Sequence, residues 1–205
     1  MDKRPPPILV ADAHGLDFLN SIATPADVPV DWINDGDGLL HWLRHAGLVP
    51  AAVLDDLRKR APAELDEVAA QARRLREWFR GFVSNHKGRA LKRADLDQLR
   101  PLNRLLERED GCSQIASSPS GADQALEIRF LRRWRHPDAL LLPIAEALAQ
   151  LVVTENFENV RACESPACTL MFADHTRGRH RRWCSMAICG NRAKQAAHRR
   201  RLSAD

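Results

Sequence analysis

The chain has 205 residues, 44% hydrophobic and 28% charged, with a net charge of +4, which suits one ordinary domain plus a small accessory module. No apolar run approaches the roughly 20 residues that a bilayer crossing needs, so a membrane protein is not expected. Met1-Asp2-Lys3-Arg4 followed by Pro5 to Pro7 leaves no room for a secretory h-region, and the expected compartment is the cytoplasm.

Residues 1–12 read as a flexible, proline-led arm. Gly15 to Ile22 is a short element that turns Leu16, Leu19 and Phe18 inward, and a loop follows at Thr24 to Pro29. Asp35-Gly36-Asp37-Gly38 breaks the chain and can cap a helix from about Leu39 to His45, closed by Gly47 where a left-handed residue is wanted. From Pro62 to His86, Leu65, Val68, Leu75, Trp78, Phe79 and Phe82 recur at helical intervals, which predicts a long amphipathic helix with Arg73, Arg74, Arg76 and Arg80 mostly outward. Ala94 to Glu109 is a second helix, striped by Leu96, Leu99, Leu102 and Leu106 and interrupted at Pro101. Cys112–Ser118, a turn at Pro119–Gly121 and Ala125–Trp134 read as a β-hairpin, and Pro137 opens an apolar helix running to about Glu158.

Charge is unevenly divided. From Arg161 to Asp205 ten Arg or Lys stand against three acids, Glu164, Asp174 and Asp205, a net of +7, while positions 1–160 hold 21 basic and 24 acidic residues. A genomic preference for arginine explains why only five residues are Lys, but not why the cations cluster. Such a segment suits an electrostatic partner, most often a phosphate backbone.

Four of the five cysteines lie in that segment as Cys163-x4-Cys168, fifteen residues, then Cys184-x4-Cys189. In a reducing compartment two local pairs at fixed spacing bind metal or do redox chemistry. Four thiolates complete a closed tetrahedral zinc site with Zn–S near about 2.3 Å, and such a site does no hydrolysis; two local disulfides or a redox pair are the alternatives. Cys112 stands apart as a small buried apolar side chain. Between the pairs, Thr169–Phe172 reads as a strand and Arg177–Trp183 as its return. Ser185 caps a helix that carries Cys189 and runs to about Arg200, and these are the parts of a treble-clef finger.

Trp183-Cys184-Ser185-Met186-Ala187-Ile188-Cys189-Gly190-Asn191-Arg192 resembles the signature of the CGNR zinc fingers. Leu16-Asp17-Phe18-Leu19-Asn20-Ser21 resembles the Leu-Asp-Phe-x-Asn-Thr opening of the ABATE domain, with Ser21 in place of Thr. The resemblance covers essentially the whole chain. It implies an α+β fold, a mostly helical ABATE-like domain over 13–158 with a small antiparallel β element, and a treble-clef CGNR finger over 159–205. It further implies one structural zinc on Cys163, Cys168, Cys184 and Cys189, and a family described as stress-induced transcription regulators. Gly190 would let the helix pack under the metal loop, Asn191 would bond the knuckle backbone, and Arg192 would brace the site or point at phosphate.

The functional expectation is a DNA-binding regulator with an N-terminal sensing or dimerisation domain. Its candidate nucleic-acid contacts are Arg177, Arg179, Arg181, Arg182, Arg192, Lys194, His198, Arg199 and Arg200, with His180 and Arg201 beside them. Asn191, Lys194, Gln195 and His198 form a plausible base-reading face. Asp17 and Asn20 are a candidate polar pair for a small-molecule effector, and a homodimer is a further candidate partner. A zinc-stabilised protein- or RNA-docking module is the alternative, and a nuclease using His175, His180 and Asn191 is the third reading.

Overall fold

The longest helical period of the sequence becomes the longest helix. A computed structural model describes residues 5–24, 29–117, 126–166 and 168–202. The side chains at 197, 198 and 200–202 lie outside that description, and so do the expected turn at Pro119–Gly121 and the roles of His198, Arg200 and Arg201. Helix α4 spans Pro62–His86, opened by a proline in the first turn, where no intrahelical N–H is needed. It buries Leu65, Val68, Phe79 and Phe82.

Among the described residues three α-helices pack on α4, as does the 3-10 turn Pro137–Leu140. Helix α1, His14–Leu19, buries Leu16, Phe18 and Leu19. Helix α2, Gly36–His45, starts where the Gly38 N–H donates to Asp35 Oδ1 at 2.7 Å, and it ends before Gly47 at φ 68°. Helix α3, Ala51–Arg60, has no counterpart among the sequence expectations and buries Leu54 and Leu57. Beyond them a 3-10 stretch, Arg93–Leu99, joins helix α5, Arg100–Leu106; the expected interruption falls one residue earlier, before Arg100, and Pro101 sits in the first turn of α5. Leu96, expected in the apolar stripe, is exposed. Its neighbour Asp95 turns inward instead, accepting from the Lys92 N–H at 2.8 Å and lying 3.2 Å from His86 Nε2.

Helix α6, Leu141–Thr154, lies at the centre against α1 and α5. Here the sequence reading needs correction, because Pro137–Thr154, with mean hydropathy 1.4, is long and apolar enough to cross a membrane. Half of that span is buried inside the fold, as a core helix requires.

Among the described residues, three antiparallel two-stranded sheets complete the α+β fold. They pair β1 (Ile22–Ala23) with β2 (Val30–Asp31), β3 (Gly111–Ser117) with β4 (Leu126–Arg132), and β5 (Val160–Ala162) with β6 (Met171–Ala173). Of the α4 arginines expected outward, Arg74 is exposed and pairs with Glu67, but Arg73, Arg76 and Arg80 turn toward the fold. Arg76 is 2% exposed, bidentate on Asp31 at 2.8 and 2.9 Å, and also donates to Ser21 Oγ and Glu77. Arg73 donates to the carbonyls of Ile33 and Asn34, and Arg80 to that of Leu19. The helix thereby ties down α1 and the β1–β2 ribbon.

Candidate metal centre and basic surface

Strands β5 and β6 flank the first cysteine pair. The Cys163 N–H donates to the Leu170 carbonyl and the Cys168 N–H to that of Ser165, both at 2.9 Å, which closes a knuckle at the tip of the hairpin. Arg177–Trp183, expected as the strand returning beside β6, is a loop, and β6 pairs with β5 on the other side of the knuckle. Asp174 is the physical reason. Fully buried, it accepts from the Thr176 N–H and hydroxyl at 3.0 and 2.6 Å and from the Arg181 N–H at 2.9 Å, which folds 174–181 back on itself. Burial pushes the Asp174 carboxyl up, but the Thr176 hydroxyl and these N–H groups outweigh it and hold it below the usual carboxylate range.

The second pair opens the last helix. Ser185 has the extended backbone of an N-cap, but its side chain does not cap. Its carbonyl instead accepts from both Cys189 and Gly190, at 3.0 and 3.1 Å, as a π turn over Met186–Gly190 leads into α7, Asn191–Leu202. Gly190 lets the Met186 side chain lie against the turn, since a Cβ would sit 2.6 Å from Met186 Sδ and push that flexible side chain aside. Asn191 is exposed rather than bonded to the knuckle backbone.

All four Sγ atoms of Cys163, Cys168, Cys184 and Cys189 lie within 4.8 Å of one another. Cys168 and Cys184 are 3.8 Å apart, and Cys184 and Cys189 3.6 Å. A zinc tetrahedron with bonds of about 2.3 Å has S···S edges of about 3.8 Å, so the geometry fits one zinc ion. The cysteines are free rather than disulfide-bonded. The hydrogen bond from Cys184 holds the Cys168 thiol down at about 5; that same bond and burial push Cys184 up, and burial pushes Cys189 up to about 11. Thiolates cannot accumulate side by side without a cation, and a dication supplies what the cluster lacks. Cys112 is half-buried on β3, away from this group.

The expected basic contacts divide into scaffold and surface. Arg181 belongs to the scaffold: its guanidinium donates to the carbonyls of Val10, Trp183 and Cys184, pairs with Asp12, and lies 4.3 Å over the Phe172 ring. Arg192 is half-buried beside Cys168, Cys189 and Ile188. Arg177, Arg179, Arg182, Lys194 and Arg199 are exposed. Arg182 covers the Trp183 ring at 4.9 Å and bonds Glu164, and beside it an open groove of about 520 Å³ is lined by His180, Trp183 and Met186. His175 bonds Glu155 at 2.8 Å and is not among the four ligands.

Asp17 and Asn20, expected as an effector-binding pair, face the chain itself. The Asn20 amide donates to the Met171 carbonyl at 2.8 Å and accepts from the Met171 N–H at 2.9 Å, pairing with β6 as a strand residue would. Asp17 Oδ1 accepts from the N–H groups of Val10 and Ala11, each at 3.0 Å, and burial pushes its carboxyl above the usual range in spite of those bonds. The arm they hold is packed from Pro5 onward: Trp32 Nε1 donates to the Pro5 carbonyl, and the Ala173 N–H to that of Ala11. Sequence signals miss the Asn20 joint because its partner is the main chain of Met171, 151 positions away. Asp174 was legible as the one acid between Ser165 and Ala204.

Comparison with known proteins matches this arrangement in two parts. The family model for ABATE, described as "Putative stress-induced transcription regulator", matches residues 12–155, and that for the CGNR zinc finger matches residues 159–202. No curated protein matches the chain.

Proposed function

The chain belongs to the ABATE family and carries a C-terminal CGNR zinc finger, and from that premise we propose that it is a cytoplasmic DNA-binding transcription regulator whose basic finger surface contacts the phosphate backbone. The observation that carries this reading is the run from His175 to Leu202, which holds nine Arg or Lys and no carboxylate. The acid just before it, Asp174, is buried. Arg177, Arg179 and Arg182 on the loop, with Lys194 and Arg199 on α7, supply affinity that depends little on base sequence. Asn191, Lys194 and Gln195, exposed on the first turns of α7, offer the amide and ammonium groups that read base edges in a major groove. Arg181 is left out of the contact set because its donors are spent on Val10, Trp183 and Cys184. The N-terminal domain acts as sensor or dimerisation unit in this reading.

The test is a fluorescence titration of labelled random duplex DNA with zinc-loaded protein at low ionic strength. Binding by the wild type, weakened by Arg177→Ala/Arg182→Ala and unaffected by Arg74→Ala on α4, supports the proposal. Absence of binding at low salt transfers the basic surface to an acidic protein partner.

A further inference from the structure

The β3–β4 hairpin is an apolar face without a cover. In its register Ser113 pairs with Phe130, Ile115 with Ile128 and Ser117 with Leu126, so these six side chains share one face. Ile115, Leu126, Ile128 and Phe130 are 76, 71, 78 and 51% exposed. The base of the face is anchored to the rest of the fold. Phe130 lies across Gly111, where a Cβ would meet its ring at 2.2 Å. At the base Arg132 binds Glu109 at 2.8 and 3.0 Å and Glu146 at 2.7 Å. A two-stranded ribbon with one apolar face is marginal in water unless something covers it.

We propose that this face is covered by the same face of a second copy of the chain, in a two-fold symmetric dimer. Charge selects the occupant. Among the described residues the exposed part of the face carries no ionised group: Arg132, next along the same side of β4, is mostly buried in its pairs with Glu109 and Glu146, and Glu127 and Arg129 lie on the opposite side and pair with each other. Nucleic acid and charged peptides therefore find no complement there, whereas an uncharged ribbon of equal size does. Shape agrees: with the two-fold axis through the Ile115–Ile128 pair, Leu126 of one copy lies over Phe130 of the other, smaller against larger. The four apolar side chains present roughly 500 Å² per copy, which brings the pair to about 1,000 Å², the lower end for a specific interface. Strand β3 also has no charge and no proline from Gly111 to Ser117, so nothing along it guards against association. The dimer deepens the regulator reading by bringing two fingers to one DNA, but it is measured without DNA, so either idea can fail while the other stands.

The experiment is sedimentation velocity of the full zinc-loaded chain, diluted from about 100 µM. The wild type is expected as a dimer that dissociates on dilution. Ile128→Lys and Ile128→Glu are each expected as monomers that form a mixed dimer on combination, and Val153→Lys, on exposed α6 surface, is expected to leave the wild-type dimer intact. Hydrogen exchange of the wild type above and below its dissociation concentration supplies a readout independent of variant folding, with protection lost over residues 111–117 and 126–132. A wild type monomeric at about 100 µM, a dimer that Ile128→Glu retains, or protection changing elsewhere overturns the proposal, and the first of these leaves the face to a different protein.

Discussion

Asn20 is the residue on which the joint between the two matched segments turns. Replacing it with Ala leaves the Met171 N–H and carbonyl without their partner, at a cost of about 2–4 kcal/mol for two buried polar groups. Urea unfolding of Asn20→Ala should show that loss, with zinc content unchanged. A second residue-scale prediction concerns Arg76 and Asp31. Burial pushes the Asp31 carboxyl up, but the Arg76 hydrogen bonds and charge outweigh it and hold it below the usual carboxylate value. A depressed carboxylate contributes stability above its unfolded value of about 3.9, and that contribution is lost as pH falls through the lower folded value. Arg76→Met is therefore expected to cost about 3 kcal/mol at pH 7, and urea melts should show the gap from wild type narrowing below about pH 4. Neither arrangement was legible in the sequence. Arg76 sits in a row with Arg73, Arg74 and Arg80 that reads as a solvated face, because a helical period does not reveal that α1 and the β1–β2 ribbon lie across it.

At the scale of elements, periodicity predicted what periodicity can. Helix α4 appears over the expected residues because its apolar positions repeat without interruption, and the 3-10 stretch gives way to α5 just before Pro101, which sits in the first turn of α5 because proline lacks the donor that a helix interior needs. The β3–β4 hairpin was also legible from its alternation. Alternation says that one face is apolar, however, and not that the protein covers it, and Ile115 and Ile128 remain in water. The finger was legible in its ligands and not in its path. Spacing located Cys163, Cys168, Cys184 and Cys189, whereas the loop through Thr176 and Arg181 depends on the buried carboxylate of Asp174. The zinc site should hold this element together, since Leu170, Phe172, Trp183 and Ile188 make too small a core alone. Cys184→Ser, at the fully buried ligand, is expected to reduce bound zinc from one per chain to near zero. Thermal melting should show a Tm lower by about 10 °C or more; a retained zinc and an unchanged Tm would contradict the four-cysteine assignment.

Over the whole molecule, the two matched segments make one body. Strand β6 packs on α1, the arm lies along β6 through Ala11 and Ala173, and Arg181 reaches back to Val10 and Asp12. The charge asymmetry visible in composition becomes a spatial one, with Arg177, Arg179, Arg182, Lys194 and Arg199 exposed and Asp174 inside. Zinc, scaffold and basic surface thus form a single device for presenting positive charge. The measurement that tests its use most directly is the salt dependence of duplex DNA binding. With four or five phosphate contacts, the logarithm of the association constant should fall against the logarithm of salt with a slope of about −4, and Arg182→Ala should reduce its magnitude by about 0.9. Binding that ignores salt, or a slope that Arg177→Ala/Arg182→Ala leaves unchanged, would contradict the account.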